Sequence, residues 1–153
     1  MSPANSTGRL VGRYERNLDP KKRLTIPSEW RTALGLNEGG YVYVLASPTE
    51  DCLLLLPRET METRLRELEE KAIFDEQLNA ALEMIGENSE LIELDIQGRI
   101  RISDRLLAYG ALKTSVTMKG AFRMAKIWAS DKLPKAEAVD KAKLREAVRT
   151  LNF

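Results

Sequence analysis

The feature that most constrains the fold is a short motif that occurs twice in the chain. The segment "NLDPKKRLTIP" (residues 17–27) has an aspartate four residues before an arginine and then runs into alternating apolar residues, and "ELDIQGRIRIS" (residues 93–103) repeats this arrangement. One copy of Asp-x-x-x-Arg is too short to support an inference, whereas two copies in matched contexts indicate two related halves. The residues matched at an offset of 76 are Leu18 and Leu94, Asp19 and Asp95, Arg23 and Arg99, Leu24 and Ile100, and Ile26 and Ile102.

Each motif predicts a fixed loop at the entrance to a strand. An aspartate side chain accepts hydrogen bonds from amides two residues further on, so Asp19 and Asp95 are expected to stabilise turns, helped by Pro20 in one loop and Gly98 in the other. The arginine that follows begins a rigid strand. Its planar guanidinium can bind either its own aspartate or a phosphate, and the sequence leaves both possibilities open.

The residues after each motif predict similar elements in the two halves. In the first half, "RLTIP" reads as a strand, Pro27 opens a short helix whose Trp30, Ala33 and Leu34 face inward, and Gly35 ends it. The stretches 41–46 and 52–56 then read as a hairpin. In the second half, Ser103 is expected to cap a short helix that ends near Gly110, and "TSVTMKG" with "FRMAKIW" form a second hairpin.

Two helical regions lie outside this repeat. A helix from Pro57 has an apolar stripe, and Asp75 is expected to cap a second helix that ends at Gly86. The stripes comprise Met61, Leu65, Leu68 and Ala72 in the first helix, and Leu78, Leu82 and Ile85 in the second. A final helix over 134–151 has only a partial stripe, so it is expected to pack on a neighbour. The sequence predicts an α+β fold in one domain over 1–153, with halves at about 10–57 and 89–130, a helical insert over 58–86 and the C-terminal helix over 134–151.

Charge is strongly segregated although the net charge is only +1. Residues 1–32 hold seven Lys and Arg against three acids, and residues 96–153 hold thirteen against five, whereas residues 50–95 hold fourteen acids against four bases. The first and last thirds of the chain can therefore present basic surfaces to a polyanion, while the acidic middle is expected to face away from it.

Composition argues against most enzyme classes. The chain has no histidine, which is the commonest general base and transition-metal ligand near neutral pH, and it lacks a glycine-rich phosphate cradle. We expect no catalytic residues, no metal site, no cofactor and no small-molecule substrate. The single cysteine, Cys52, is expected to be a buried apolar side chain. No signal peptide or membrane-length apolar run is recognisable, so no membrane contact and a cytoplasmic location are expected.

The quoted motifs together resemble one family. "LDPKKRLTIP", "CLLLLP", "LDIQGRIRIS" and "KIW", in this order over roughly residues 10–133, are similar to the MraZ family of regulators, which are encoded at the head of bacterial division and cell-wall gene clusters. The resemblance implies two AbrB/SpoVT-type halves that complete a swapped-hairpin β-barrel, with helices that join subunits into a ring. It also implies a nucleoid-associated regulator that binds repeated promoter boxes in double-stranded DNA through the Asp-x-x-x-Arg loops.

The DNA-binding residues implied by the resemblance fall in both loops. They are Asp19, Lys21, Lys22 and Arg23 in the first loop and Asp95 and Arg99 in the second, with Arg101 on the strand beyond. The family usually has glycine where this chain has Lys22, so the first loop is expected to differ in shape. In the second copy Ser103 replaces a proline and Gln97 replaces a lysine, so DNA contact is expected to lean on the first half.

Two other classes compete with a DNA-binding regulator. An AbrB-fold antitoxin would also bind its promoter, but its tail would be acidic and disordered, whereas this tail is basic and predicted to be helical. An oligomeric interaction scaffold would account for the helices of 57–86, yet it would leave the paired loops without a role.

Overall fold

The computed structural model describes residues 7–37, 39–133 and 139–153, which form eight strands and five α-helices. The strands are β1 Arg13–Asn17, β2 Arg23–Thr25, β3 Tyr41–Ala46, β4 Leu53–Pro57, β5 Ser89–Glu93, β6 Arg99–Arg101, β7 Ser115–Gly120 and β8 Ala125–Ala129. The helices are α1 Ser28–Leu34, α2 Arg58–Ala72, α3 Glu76–Glu87, α4 Asp104–Gly110 and α5 Lys141–Leu151, and a short 3-10 helix covers Ser130–Lys132. The predicted α+β class is confirmed.

The strands of the two halves pair with each other. Six of them form an antiparallel sheet in the order β1-β7-β8-β4-β3-β5. The counterparts in the two halves are β1 and β5, β3 and β7, and β4 and β8. Exchanging each strand for its counterpart gives the same order read from the other edge of the sheet. The first strand of each half lies beside the hairpin of the other half, β1 on β7 and β5 on β3. Neither half can therefore complete its hydrogen bonding alone.

The two motif strands form a separate two-stranded ladder. β2 and β6 are antiparallel, with Arg23 opposite Arg101, Leu24 opposite Ile100, and Thr25 opposite Arg99. Leu24 and Ile100 are buried in the core, whereas Thr25 and Arg101 are exposed. The alternation that predicted these strands thus places one apolar residue from each strand inward and the basic residues at the surface.

The short helices anchor the strands that follow the loops. α1 begins directly after Pro27, and its buried Trp30 donates from Nε1 to the carbonyl of Val11 at 2.7 Å and meets the ring of Tyr14 edge to face. α4 is capped as predicted, because Ser103 Oγ accepts a hydrogen bond from the amide of Leu106 at 3.3 Å. Ala33 and Leu34 are only half-buried, so Trp30 provides most of the inward packing of α1.

The helical insert forms a hairpin of α2 and α3 on the six-stranded sheet. Asp75 Oδ1 accepts from the amides of Gln77 and Leu78, which confirms the predicted cap, and α3 continues one residue past Gly86. The predicted stripe residues Met61, Leu65, Leu68, Leu78 and Leu82 are half-buried, while Ala72 is fully buried and Ile85 is exposed.

The C-terminal helix begins later than predicted. Residues 134–138 of the predicted span lie outside the described residues, and Val139 and Asp140 are not helical. Asp140 caps α5, because its Oδ1 accepts from the amide of Lys143 at 3.0 Å. Every residue from Val139 to Phe153 is exposed. Within the described ranges, no helix is long and apolar enough to cross a membrane.

The predicted closed β-barrel stays a prediction. The described strands fall into a six-stranded and a two-stranded sheet, and β1 and β5 occupy opposite edges of the larger sheet. Two strands, β1 and β5, were not predicted, because their charged and polar residues hide the alternation that marks a half-buried strand. Cys52 is buried, as predicted.

The contribution of the small ladder to the core can be tested at Leu24, which is buried opposite Ile100. Replacing Leu24 with Ala should lower the free energy of unfolding by about 2–5 kcal/mol, since the side chain is fully buried between both halves. The exposed neighbour gives the control, and Thr25→Ala should cost less than about 1 kcal/mol. Urea denaturation of both variants measures the difference, and equal losses would contradict this arrangement of the ladder.

Candidate nucleic-acid interface

The first motif folds into a loop held by its own aspartate. Asp19 Oδ1 accepts from the amides of Lys21 at 2.9 Å and Arg23 at 2.8 Å, while the other oxygen, Oδ2, accepts from Arg23 Nε at 2.6 Å. The amide of Lys22 donates to the carbonyl of Asp19 at 2.8 Å, and the amide of Asp19 donates to the carbonyl of Arg23 at 3.0 Å. One carboxylate therefore fixes the loop and the orientation of the arginine that follows it.

The second motif repeats this arrangement bond for bond. Asp95 Oδ1 accepts from the amides of Gln97 and Arg99, both at 2.9 Å, and Asp95 Oδ2 accepts from Arg99 Nε at 2.7 Å. The amide of Gly98 donates to the carbonyl of Asp95, and the amide of Asp95 donates to that of Arg99, both at 2.9 Å. The sequence repeat is thus also a repeat of structure.

The expectation that Lys22 changes the shape of the first loop is wrong. Lys22 has φ 61° and Gly98 has φ 78°, so both loops use the left-handed backbone at the same position. A lysine there costs conformational energy, which the five hydrogen bonds of the loop offset. In the second loop the same position lies against Arg31, since a Cβ on Gly98 would lie 2.3 Å from Nη1 at the flexible end of that side chain.

In the free protein, the two motif arginines bind the aspartates of their own loops. Arg23 and Arg99 each bind their own aspartate through Nε, and both side chains remain partly exposed. The amide of Arg23 is the main cause that lowers the pKa of Asp19, and the Arg23 guanidinium lowers it further. The amide and then the guanidinium of Arg99 lower the pKa of Asp95 in the same way. Both carboxylates are therefore ionised near neutral pH and hold their arginines in place.

The first half also contacts the second through an acid that the sequence analysis missed. Asp104 Oδ1 accepts from Lys22 Nζ at 3.2 Å and from Arg101 Nη2 at 3.0 Å. The Arg101 hydrogen bond and then the Lys22 hydrogen bond lower the pKa of Asp104. Asp104 follows the helix cap Ser103 in the first turn of α4, where an acidic residue ordinarily stabilises a helix N-terminus, so no sequence pattern pointed to its two partners.

Two predicted DNA-binding residues are thus already engaged at the surface. Lys22 and Arg101 share Asp104, although all three side chains are exposed and the ion pairs are open to water. Lys21 is also exposed, and no side-chain partner for it occurs in the described part of the chain. Among the predicted residues, Lys21 is therefore the one most available to an external anion.

The two loops lie close together at the small ladder. Arg99 Nη1 reaches within 4.0 Å of Asp19 Oδ2, so the arginine of the second loop approaches the aspartate of the first. Because β2 and β6 are antiparallel, the loops enter the ladder from opposite ends. This arrangement holds basic side chains from both halves on one short rigid support, which suits the regular spacing of a phosphate backbone.

No other chemistry is evident in this part of the molecule. The described residues contain no group of three or more cysteines and acidic side chains placed to hold a metal ion. The buried thiol of Cys52 has a raised pKa, chiefly because burial disfavours the thiolate. The loops themselves present the partly exposed guanidinium groups of Arg23 and Arg99.

Acid should weaken the loops in a specific pH window. Because folding lowers the pKa of Asp19 and Asp95, their contribution to stability is complete above the unfolded value of about 4 and is lost as pH falls through the folded values. The Asp19→Asn, Asp95→Asn variant should therefore lose less free energy of unfolding than the wild type when pH drops from about 6 to about 3.

The matched control replaces two exposed aspartates outside the loops. The Asp51→Asn, Asp131→Asn variant should keep the acid sensitivity of the wild type. Urea denaturation at each pH gives the comparison. Equal pH dependence of the loop variant and the control would show that the loop carboxylates are not linked to folding.

Comparison with known proteins identifies relatives along most of the chain. No protein-family model matches it. A protein of Nitrosomonas eutropha named "Transcriptional regulator MraZ" is 33% identical over 117 residues, covering 76% of this chain and 78% of the relative. Proteins with the same name are 31% identical over 146 residues in Alcanivorax borkumensis, covering 94% and 99%, and 33% identical over 120 residues in Roseiflexus sp., covering 78% and 80%.

These matches agree with the resemblance first noted from the motifs alone. In the Alcanivorax borkumensis relative the match extends over nearly the full length of both chains, so it spans the positions of both loops. On this similarity, the chain belongs to the MraZ family.

Proposed function

We propose that the protein is a transcriptional regulator that binds repeated boxes in double-stranded DNA through its two Asp-x-x-x-Arg loops. The observation that carries this proposal is the matched pair of internally bonded loops on one ladder, with Lys21 exposed and Arg23 and Arg99 held in fixed orientations. Relatives named transcriptional regulators support it. In this proposal Lys21, Lys22, Arg23, Arg99 and Arg101 face the DNA, and Asp19 and Asp95 shape the loops.

The hydrogen bonds of the loops engage only part of each arginine. Since Nε of each arginine is bound to an aspartate, phosphate is approached by the remaining Nη groups of the same fork. A preformed loop of this kind loses little conformational freedom when DNA binds, which favours affinity. Lys22 and Arg101 exchange Asp104 for phosphate at small cost, since that ion pair is exposed.

We also propose that the two halves form the AbrB-type swapped-hairpin barrel of one domain. The exchange of β1 and β5 between the halves and the pairing of β2 with β6 support it, because each half supplies strands to the hydrogen bonding of the other. In such a fold the two loops move as one body. Their spacing relative to the DNA is then set by the core rather than by a flexible linker.

Self-association into a ring is the second part of the proposal. Large apolar side chains are exposed at the α2–α3 hairpin and along α5, where a single subunit leaves them in water. They include Ile73, Phe74, Met84 and Ile85 in the hairpin and Leu144, Val148, Leu151 and Phe153 at the C-terminus. One subunit offers few cations to DNA, so an oligomer that presents several loop pairs to suitably spaced boxes gains avidity.

The competing functions are less well supported. The C-terminal segment is a basic helix, Lys141–Leu151, rather than an acidic toxin-wrapping tail, which argues against an antitoxin. A scaffold function based on α2–α3 contacts leaves the loops without a role. An enzymatic function has no recognisable nucleophile or general base in the sequence to support it. We further propose a cytoplasmic, nucleoid-associated protein that acts on DNA upstream of its own division and cell-wall operon, with no cofactor, membrane or small-molecule substrate.

Charge reversal at the most available lysine tests DNA binding. Lys21→Glu should weaken binding to the DNA upstream of the gene at least about tenfold at low salt and should flatten the log–log salt slope by about one unit or more, because it removes a phosphate contact. Arg23 is left intact, since reversing it would also break its bond to Asp19. Fluorescence anisotropy over a range of salt concentrations gives both values.

Lys71→Glu is the matched control, because it makes the same change in net charge on α2, which packs against β3, β4 and α3. It should bind as the wild type does and keep the oligomer mass of the wild type, which shows that the neighbouring hairpin tip is undisturbed. A Lys21→Glu protein that is folded by circular dichroism and binds as tightly as the control would refute the role of the first loop.

Light scattering tests the proposed ring. The wild type should have a mass well above that of one chain at micromolar concentration in moderate salt, and Ile73→Ser, Phe74→Ser should reduce it, because these side chains are exposed at the tip of the hairpin. Phe122→Ser removes a similar exposed ring from the turn between β7 and β8 and should leave the mass unchanged. A monomeric wild type would contradict the ring and the avidity that depends on it.

A further inference from the structure

The two loops differ most in the residues that follow each aspartate. In the second loop Ile96 is fully exposed, at 100%, and Gln97 beside it is exposed too, where the first loop has Pro20 and Lys21. Single exposed apolar residues are common on protein surfaces. What distinguishes Ile96 is its place beside Gln97, in a loop whose counterpart in the first half has a lysine.

The backbone around Ile96 holds it in this exposed position. The amides of Gln97 and Arg99 both donate to Asp95 Oδ1, and the amide of Gly98 donates to the carbonyl of Asp95. These hydrogen bonds thus fix the backbone on both sides of Ile96, whose side chain lies in solvent. An apolar group and a carboxamide are presented side by side on a rigid support.

The second loop is poorly equipped for phosphate. Gln97 stands where the first loop has Lys21, Gly98 stands where it has Lys22, and Glu93 lies at the end of β5 just before the loop. Phosphate contacts carry no sequence information, whereas base edges are read by hydrogen bonds and apolar contacts. An aliphatic side chain suits the C5-methyl group of thymine, and a glutamine suits N6 and N7 of adenine.

We propose that the second loop reads base edges in the major groove, with Ile96 on a thymine methyl group and Gln97 on a neighbouring adenine, while the first loop supplies the phosphate contacts. This rests on the proposed DNA binding and divides it between the loops. The two-stranded ladder of β2 and β6 matches the groove, since the major groove admits a two-stranded β-ribbon. Specificity would then come from the half of the protein with fewer cations.

The experiment removes the C5-methyl group of thymine from the DNA and leaves the protein unchanged. A duplex selected from a random pool by the full-length wild type is prepared with each thymine replaced in turn by deoxyuridine, which leaves pairing and phosphates unchanged. At one position or more the replacement should weaken wild-type binding roughly fivefold or more. Ile96→Ser should weaken binding to the unmodified duplex by a similar factor and should be insensitive to deoxyuridine at that same position.

Two further variants separate the roles of the loops. Gln97→Ala should reduce discrimination against changes at the adjacent base pair, and both second-loop variants should keep wild-type affinity for unrelated duplex DNA, with the same salt slope. Lys21→Ala should weaken binding to selected and unrelated duplexes alike. The second-loop variants should thus lose affinity for the selected duplex only, and the first-loop variant should lose affinity for every duplex. A purely structural role for Ile96 would not produce this difference.

Several results would overturn the inference. Wild-type protein that binds DNA but selects no preferred sequence would refute base reading and leave the proposed DNA binding intact. Base reading is also refuted if Ile96→Ser weakens all duplexes equally, or if it changes the oligomer mass, since Ile96 would then be a subunit contact. Wild-type protein that binds neither pool nor promoter DNA would instead refute the proposed function itself.

Discussion

The closure of each loop by its aspartate is the interaction on which the rest of the structure depends. The carboxylates of Asp19 and Asp95 each accept hydrogen bonds from two backbone amides and from the guanidinium of the arginine that begins the next strand. This set of bonds turns the chain from the first strand of each half into the small ladder, where Leu24 and Ile100 enter the core. Without it, the strands of the ladder would lack a defined entry, and the arginines would lack a fixed orientation.

The same closure explains how two nearly identical loops can have different surroundings. The first loop keeps a left-handed backbone at Lys22, whose side chain reaches Asp104 of the other half. In the second loop a Cβ at that position would meet the flexible end of the Arg31 side chain, and the residue of the second half that matches Arg31 is the buried Leu107 on α4. A shared backbone geometry therefore carries different side chains in the two halves, which in our proposals meet phosphate in one half and base edges in the other.

The sequence predicted those parts of the fold in which local chemistry and burial agree. The strand β6, the caps at Ser103 and Asp75, and the aspartate-centred turns all follow from residues that act on their near neighbours. It missed β1 and β5, whose polar residues form strands only because the other half supplies the partner. It also misjudged Lys22, since several hydrogen bonds outweigh the preference of one residue, and it missed Asp104, whose partners lie in the other half or beyond its own helix.

We propose that two preformed loops on one rigid ladder are the surface that meets DNA. Amide hydrogen exchange of the full-length protein, free and bound to the DNA upstream of its gene, tests this most directly. If the loops are preformed, the amides of Arg23 and Arg99, which are bonded to aspartates, exchange slowly in the free protein. Bound DNA should then add protection in the stretches 18–25 and 94–103. Fast exchange at these amides in the free protein, or DNA-dependent protection confined to the α2–α3 hairpin, would contradict it.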